Sequence, residues 1–247
     1  MKNLLIICSL CICISTTYAQ CSLENNSNGF STSIRNGTKS SYLNTYIALE
    51  LIRLEKLFNV KVDLCFQSGT NAFATPVCKN NNCDGTISLG IDLMEKQYKK
   101  GTGKWLIAAI MAHEIAHILQ FKNQMKFENT VHQEIHADML SGWFLGKLIE
   151  DYKGSYDFSE GAKVAYNKME DRIQQASEIQ QNLRLFFGGM GDNNYFSIQH
   201  HGNFTTRAMA MHQGMYSYTG WSLRDWKRVF FEFGQKDALK IIDDYNH

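Results

Sequence analysis

Apolar residues recur at helical spacing along Tyr46-Ile-Ala-Leu-Glu-Leu-Ile-Arg-Leu-Glu-Lys-Leu-Phe58, and the run stops at Asn59, so a helix ending there is predicted. Val60 to Phe66 alternates and reads as a strand, and Asn71–Pro76 and Gly85–Gly90 read as two further short strands around a polar turn. From Trp105 to Phe121 the chain is apolar nearly all round, the pattern of a buried helix. A second helix is predicted from His132 to Tyr152. Phe158 to Leu185 mixes Gln, Glu and Lys with apolar residues on one face, a long amphipathic helix covering the core. The glycines of Phe186-Phe-Gly-Gly-Met-Gly-Asp-Asn-Asn194 predict a loop. Residues 199–207 lead into another helix, and Trp221 to Tyr245 forms a last one that packs as structure. The polar stretch Asn25–Lys39 predicts irregular chain. A small sheet ahead of a buried helix, with helices after it, is an α+β, mainly helical arrangement.

Composition changes the picture at the N-terminus. Residues 1–19 have a basic start, a short apolar core and a small final residue, Ala19, which together describe a secretory signal too short in its apolar part to span a membrane. Cleavage after Ala19 removes Lys2 and leaves 24 basic against 24 acidic residues, which offers no basis for a nucleic-acid partner. It also removes Cys8, Cys11 and Cys13, leaving Cys21, Cys65, Cys78 and Cys83, an even set suited to disulfides in a secreted or periplasmic protein. Cys78 and Cys83 close a polar turn, and Cys21 pairs with Cys65 by default. Lipid attachment at Cys21 is disfavoured because Gln20 stands where a small residue is expected. Residues 20–247 suit one domain: Pro76 is the only proline, no Gly/Ser-rich linker appears, and no second apolar stretch has membrane-spanning length.

The chemistry sits on the buried helix, in His113-Glu114-Ile115-Ala116-His117. Two histidines at this spacing share a helical face, since about 3.6 residues make a turn, and form a pincer for a metal ion. Glu114 is turned by about 100° from His113, placed to reach a water without taking a coordination position. Such groups would be costly in an apolar helix without a partner. On the second helix Glu134 and Asp138 again share a face. Glu134 can complete the ligand set, and Asp138 can orient a ligating histidine through its other ring nitrogen. His132, His136 and Asp138 itself compete as third ligand. The metzincin pattern is excluded, because Gln120 and Asn123 stand where it needs Gly and a third His.

His113-Glu-Ile-Ala-His117-Ile-Leu-Gln followed by Glu134-Ile-His-Ala-Asp138-x-Leu-Ser-Gly resembles the gluzincin metallopeptidases, in particular the neutral zinc metallopeptidases related to the CaaX-prenyl-protease and heat-shock-protease group. The resemblance is specific over residues 105–146 and implies a zincin-like domain with one zinc ion held by His113, His117 and Glu134, with Asp138 behind them. The 16 residues between His117 and Glu134 are fewer than in the membrane-embedded relatives. Asn71-Ala-Phe-Ala-Thr-Pro76 resembles a segment that in this group lies on the sheet beside the cleft, where an exposed edge could take a peptide as an added strand; an ordinary disulfide-stapled hairpin is the other reading. His201-Gly202 followed by Arg207 resembles a His-Pro/Gly…Arg motif at the cleft, with Gly202 in place of the membrane relatives' Pro. It implies that His201 donates to the oxyanion while Arg207 orients the loop or pairs with an acidic residue near the metal. Tyr195 and His212 compete for the donor role, and a helix-capping loop with an incidental histidine is the plain alternative.

The resulting expectation is a secreted zinc-dependent endopeptidase acting on a peptide or protein substrate, with Glu114 as general base for a zinc-activated water. The competing expectation is a secreted binding or chaperone-like protein that keeps a structural zinc site, with His132 or His136 as fourth ligand, and has lost hydrolysis.

Overall fold

The computed structural model describes residues 34–35, 37–78, 82–154, 181–182, 185 and 203–246. The first helix, α1 (Ser41–Phe58), starts ahead of the apolar run that predicted it because the Ser40 side chain accepts a hydrogen bond from Leu43 N at 3.3 Å. It ends at Asn59, which takes the left-handed conformation at φ 52°. Leu43, Ile47, Leu51, Leu54 and Phe58 form its buried stripe.

Four strands follow the order β1-β2-β4-β3, with β1 at Ile34–Arg35, β2 at Val62–Gln67, β3 at Ala72–Thr75 and β4 at Gly85–Gly90. β2 and β4 run parallel, Cys65 opposite Ser88, while β3 is antiparallel to β4 with Phe73 opposite the same serine. β4 is buried along its whole length and β3 is an edge. The turn joining β3 to β4 carries the Cys78–Cys83 disulfide that the sequence predicted. Cys65 is disulfide-bonded too; its expected partner, Cys21, and the 1–19 signal lie outside the described residues.

α2 (Ile91–Tyr98) leads into α3 (Gly103–Lys122), which crosses the sheet and is buried without interruption from Leu106 to Gln120. α4 (Thr130–Gly154) lies beside it, and Ser141 Oγ donates to Ala109 O at 2.7 Å between them. α5 (Phe204–Thr219) packs along α4 in the most extensive helix–helix contact among the described residues. Glycines make this approach possible: a Cβ on Gly214 would stand 1.9 Å from Met139 O, and one on Gly142 would stand 2.1 Å from Met211 O. A π-helical turn (Arg228–Phe233) and α6 (Gly234–Asn246) close the chain against α4.

Two expectations are corrected. The predicted polar irregular stretch contributes the two-residue β1, held antiparallel to β2. The last helix does not begin at Trp221. Leu223 O accepts from Trp143 Nε1 at 2.6 Å, which ties residues 221–225 down as non-helical chain, and helical structure starts at Trp226. Residues 181, 182 and 185 are helical as expected; the rest of the predicted 158–185 helix and the glycine loop lie outside the described residues. The described part is mainly helical with a small sheet, and no helix among the described residues is long and apolar enough to cross a membrane.

Candidate metal centre

α3 brings His113, Glu114 and His117 into the interior, and the first turns of α4 bring Glu134 and Asp138 opposite them. Asn129 fixes the start of α4 by accepting from His132 N at 2.8 Å. His113 and His117 turn their Nε2 atoms toward one point, 3.1 Å apart. Glu134 closes the triangle, with Oε2 at 3.3 Å from His113 Nε2 and Oε1 at 3.5 Å from His117 Nε2. A tetrahedral zinc with bonds of about 2.0–2.1 Å sets its ligand atoms about 3.3 Å from one another. The two histidine nitrogens lie close to that spacing, and the glutamate turns one carboxylate oxygen toward each of them. All three groups are buried and form the one cluster among the described residues that could hold a metal ion.

The surrounding polar contacts orient the ring nitrogens that face the inside of the triangle. Asp138, fully buried, lies with Oδ1 at 2.9 Å from His113 Nδ1. A carboxylate only accepts, so His113 carries its proton on Nδ1 and turns Nε2 inward. Asp138 is itself gripped by Arg207 from the first turn of α5, Nε to Oδ2 at 2.7 Å and Nη2 to Oδ1 at 2.8 Å. Arg207 Nη2 also reaches Glu134 Oε2 at 3.3 Å. Arg207 is 1% exposed; burial opposes its charge, but Asp138 and Glu134 overcome this and raise its pKa. Its place near the acidic residues matches one of the two roles expected for it. On His117 the outward nitrogen, Nδ1, meets Gln120 Oε1 at 2.8 Å.

The charge balance can accommodate a cation. Arg207 neutralises one carboxylate, leaving Glu134 and Glu114 in an interior where isolated charge is expensive. In the metal-free chain His113 meets part of that demand: burial lowers its pKa, but the hydrogen bonds and charges of Asp138 and Glu134 push it up to about 10. A proton there occupies the direction that a metal would take, so metal binding displaces it. Glu114 is 4% exposed and its Oε2 has no hydrogen-bond partner among the described residues. Burial raises its pKa, with the two histidines pulling it back.

A cavity of about 370 Å³ opens over the centre, with His113, Glu114 and His117 on one wall and β3, from Asn71 to Ala74, on another. Phe121 and Gln133 line it as well. The Asn71–Pro76 segment thus sits on the sheet edge beside the candidate site. The competing third ligands are engaged elsewhere. His132 packs its ring edge-on against Phe127 at 5.1 Å, and His136 lies 2.9 Å from Phe230 O through its Nε2. Burial lowers the His136 pKa to about 4, more than Phe230 O raises it. His212 is exposed and stacks on Tyr216, away from the cavity wall. His201, with His200 and Tyr195, lies outside the described residues.

The polar groups behind His117, namely Gln120, the Gln133 carbonyl and Phe230 O, were not singled out from sequence. Gln120 stands three residues after His117, on the same helical face, so its spacing carried a signal. Phe230 is far along the chain and nothing local points to it. Comparison with protein-family models, curated proteins and solved structures gives no match.

Proposed function

We propose that this chain is an exported zinc-dependent metallopeptidase of the gluzincin kind, hydrolysing peptide bonds in an extended substrate. The observation that carries the reading is the buried convergence of His113, His117 and Glu134 on one point, beside a buried Glu114 that faces the same cavity and whose Oε2 has no hydrogen-bond partner among the described residues. His113, His117 and Glu134 would hold the ion. When bound, zinc supplies a Lewis acid that polarises a carbonyl and acidifies water. Glu114 accepts the proton of the attacking water and returns it to the leaving amine, so one carboxylate serves first as base and then as acid. Burial favours the first of these transfers, because a carboxylate whose pKa is held above its ordinary value is a stronger base toward the water's proton.

Substrate positioning falls to β3. Its outer edge is unpaired among the described strands and runs beside the metal centre, so a peptide laid along it gains main-chain hydrogen bonds that do not depend on side chains. Asp138 and Arg207 hold His113 in place, and the resemblance assigns oxyanion stabilisation to His201. Export rests on the signal-like residues 1–19 and accords with the Cys78–Cys83 disulfide. The binding-protein alternative needs a fourth protein ligand, and His132 and His136 both point their contacts elsewhere. The direct test is hydrolysis of unfolded casein by the purified chain. Cleavage that a chelator abolishes and added zinc restores supports the reading; one bound zinc with no cleavage of any peptide library would overturn it.

A further inference from the structure

Behind His117 runs a chain of hydrogen bonds whose directions can be worked out from its fixed ends. Phe230 O is a carbonyl and can only accept, so His136 Nε2, 2.9 Å away, carries a proton and His136 Nδ1 faces Gln120 as an acceptor. Gln133 O is likewise an acceptor. Gln120 must therefore direct its amide nitrogen at both, at 3.0 Å to Gln133 O and 3.1 Å to His136 Nδ1. This leaves Gln120 Oε1 as the group facing His117 Nδ1 at 2.8 Å, and His117 must donate to it. With its proton on Nδ1, His117 presents a bare Nε2 to the ligand triangle. None of these assignments is optional, because reversing the Gln120 amide would set its nitrogen against a donor and its oxygen against the Gln133 carbonyl.

We infer that Gln120, held by His136 and the Phe230 carbonyl, is a positioning residue that locks His117 in its metal-binding tautomer and thereby couples the C-terminal π-helical turn to metal affinity. The arrangement differs from that at His113, where a charged carboxylate does the same work. A neutral amide has no charge to impose its direction, so it depends on the partners behind it. The anchor is closely fitted: Phe230 belongs to the π-helical turn, and Gly234, which follows that turn, lies so near that a Cβ there would stand 3.0 Å from His136 Nε2. Turns of this kind frequently occur at functional sites.

The inference rests on the metallopeptidase reading for the identity of the ion, though not for the hydrogen-bond directions. Two measurements test it. Long-range ¹H–¹⁵N correlation spectra of the metal-free wild-type chain report the imidazole tautomers directly, with His117 expected to be protonated at Nδ1 and His136 at Nε2. Zinc affinity by chelator competition is then compared across variants. Gln120→Leu, which removes the acceptor, is expected to weaken zinc binding by about 10- to 100-fold and to release His117 into a tautomer mixture. Gln120→Glu keeps an acceptor for His117 but sets a second oxygen against the Gln133 carbonyl, so it should lose less zinc affinity than Gln120→Leu without matching the wild type. His136→Phe should have a smaller effect than Gln120→Leu, since Gln133 O still directs the amide. His117 protonated at Nε2 in the wild type would overturn the relay, as would wild-type zinc affinity in Gln120→Leu. A wild-type chain with the predicted tautomers but no zinc binding would overturn the metal-affinity role together with the peptidase reading, leaving the hydrogen-bond directions standing.

Discussion

Arg207 offers the sharpest energetic test, because its guanidinium is 1% exposed and its partner Asp138 is fully buried. The pair is bidentate, at 2.7 and 2.8 Å, and Arg207 also touches Glu134 at 3.3 Å. Removing one member of a buried pair strands the other charge in a low-dielectric interior, at a cost of about 3–5 kcal/mol. Arg207→Leu in the metal-free chain is therefore expected to be destabilised by that amount, a fall in Tm of roughly 6–20 °C for a domain of this size. Asp138→Leu should cost a similar amount by stranding Arg207. The double variant Arg207→Leu/Asp138→Leu places two apolar side chains where the charges were, so its loss should be well below the sum of the single losses. Urea denaturation in the presence of a chelator measures all four corners of the cycle. Additivity within about 0.5 kcal/mol is what independent sites show, and finding it here would refute the claim that Arg207 and Asp138 act as one unit. Zinc should recover part of the stability of Arg207→Leu, since the ion compensates Glu134.

Three further outcomes are expected. Glu50 is buried, its Oε1 has no partner among the described residues, and burial raises its pKa above the ordinary 4.5 against the pull of Arg53. The folded state therefore holds that proton more tightly than the unfolded state does, and the associated stability is full below pH 4.5 and lost as pH rises through the raised value. Glu50→Gln should raise Tm at pH 8 and leave it nearly unchanged at pH 4; equal melting of the two proteins at pH 8 would contradict this. Cys78→Ala/Cys83→Ala should cost about 2 kcal/mol, the chain-entropy value for so short a loop, and non-reducing mass mapping of exported protein should find the 78–83 link rather than free thiols. His201→Ala should lower kcat by about 10²–10³ with zinc content and melting unchanged, whereas His200→Ala should be mild; equal, small effects would remove His201 from the oxyanion role.

The pairs His113/His117 and Glu134/Asp138 were legible because each lies one turn apart on one helix, so local spacing alone sets the shared face. The burial of α3 was legible for the same reason: a run from Leu106 to Gln120 with no polar face outside the motif has nowhere to go but inside. The helix α2 was not legible. Its start at Gly90 is held by Gly69 O, which accepts from Asp92 N and Leu93 N across a turn that pattern does not reveal. The parallel pairing of β2 with β4 was equally hidden, since β3 intervenes in sequence and pairs on the far side of β4. Arg207 could be placed near the cleft by resemblance, but its grip on Asp138 depends on the close approach of α4 and α5 through Gly142 and Gly214. Phe230 shows the limit most clearly: its carbonyl matters through a hydrogen bond to His136 that no side-chain pattern encodes.

In the proposed mechanism Glu114 moves the proton while His113, His117 and Glu134 hold the ion. Glu114→Gln separates these roles, because it keeps the side-chain volume and the ligand triangle and removes only the base. Metal analysis and casein turnover on the same purified preparation are the measurement. One zinc per chain with hydrolysis nearly abolished is the predicted result, and one zinc per chain with turnover undiminished would contradict the account.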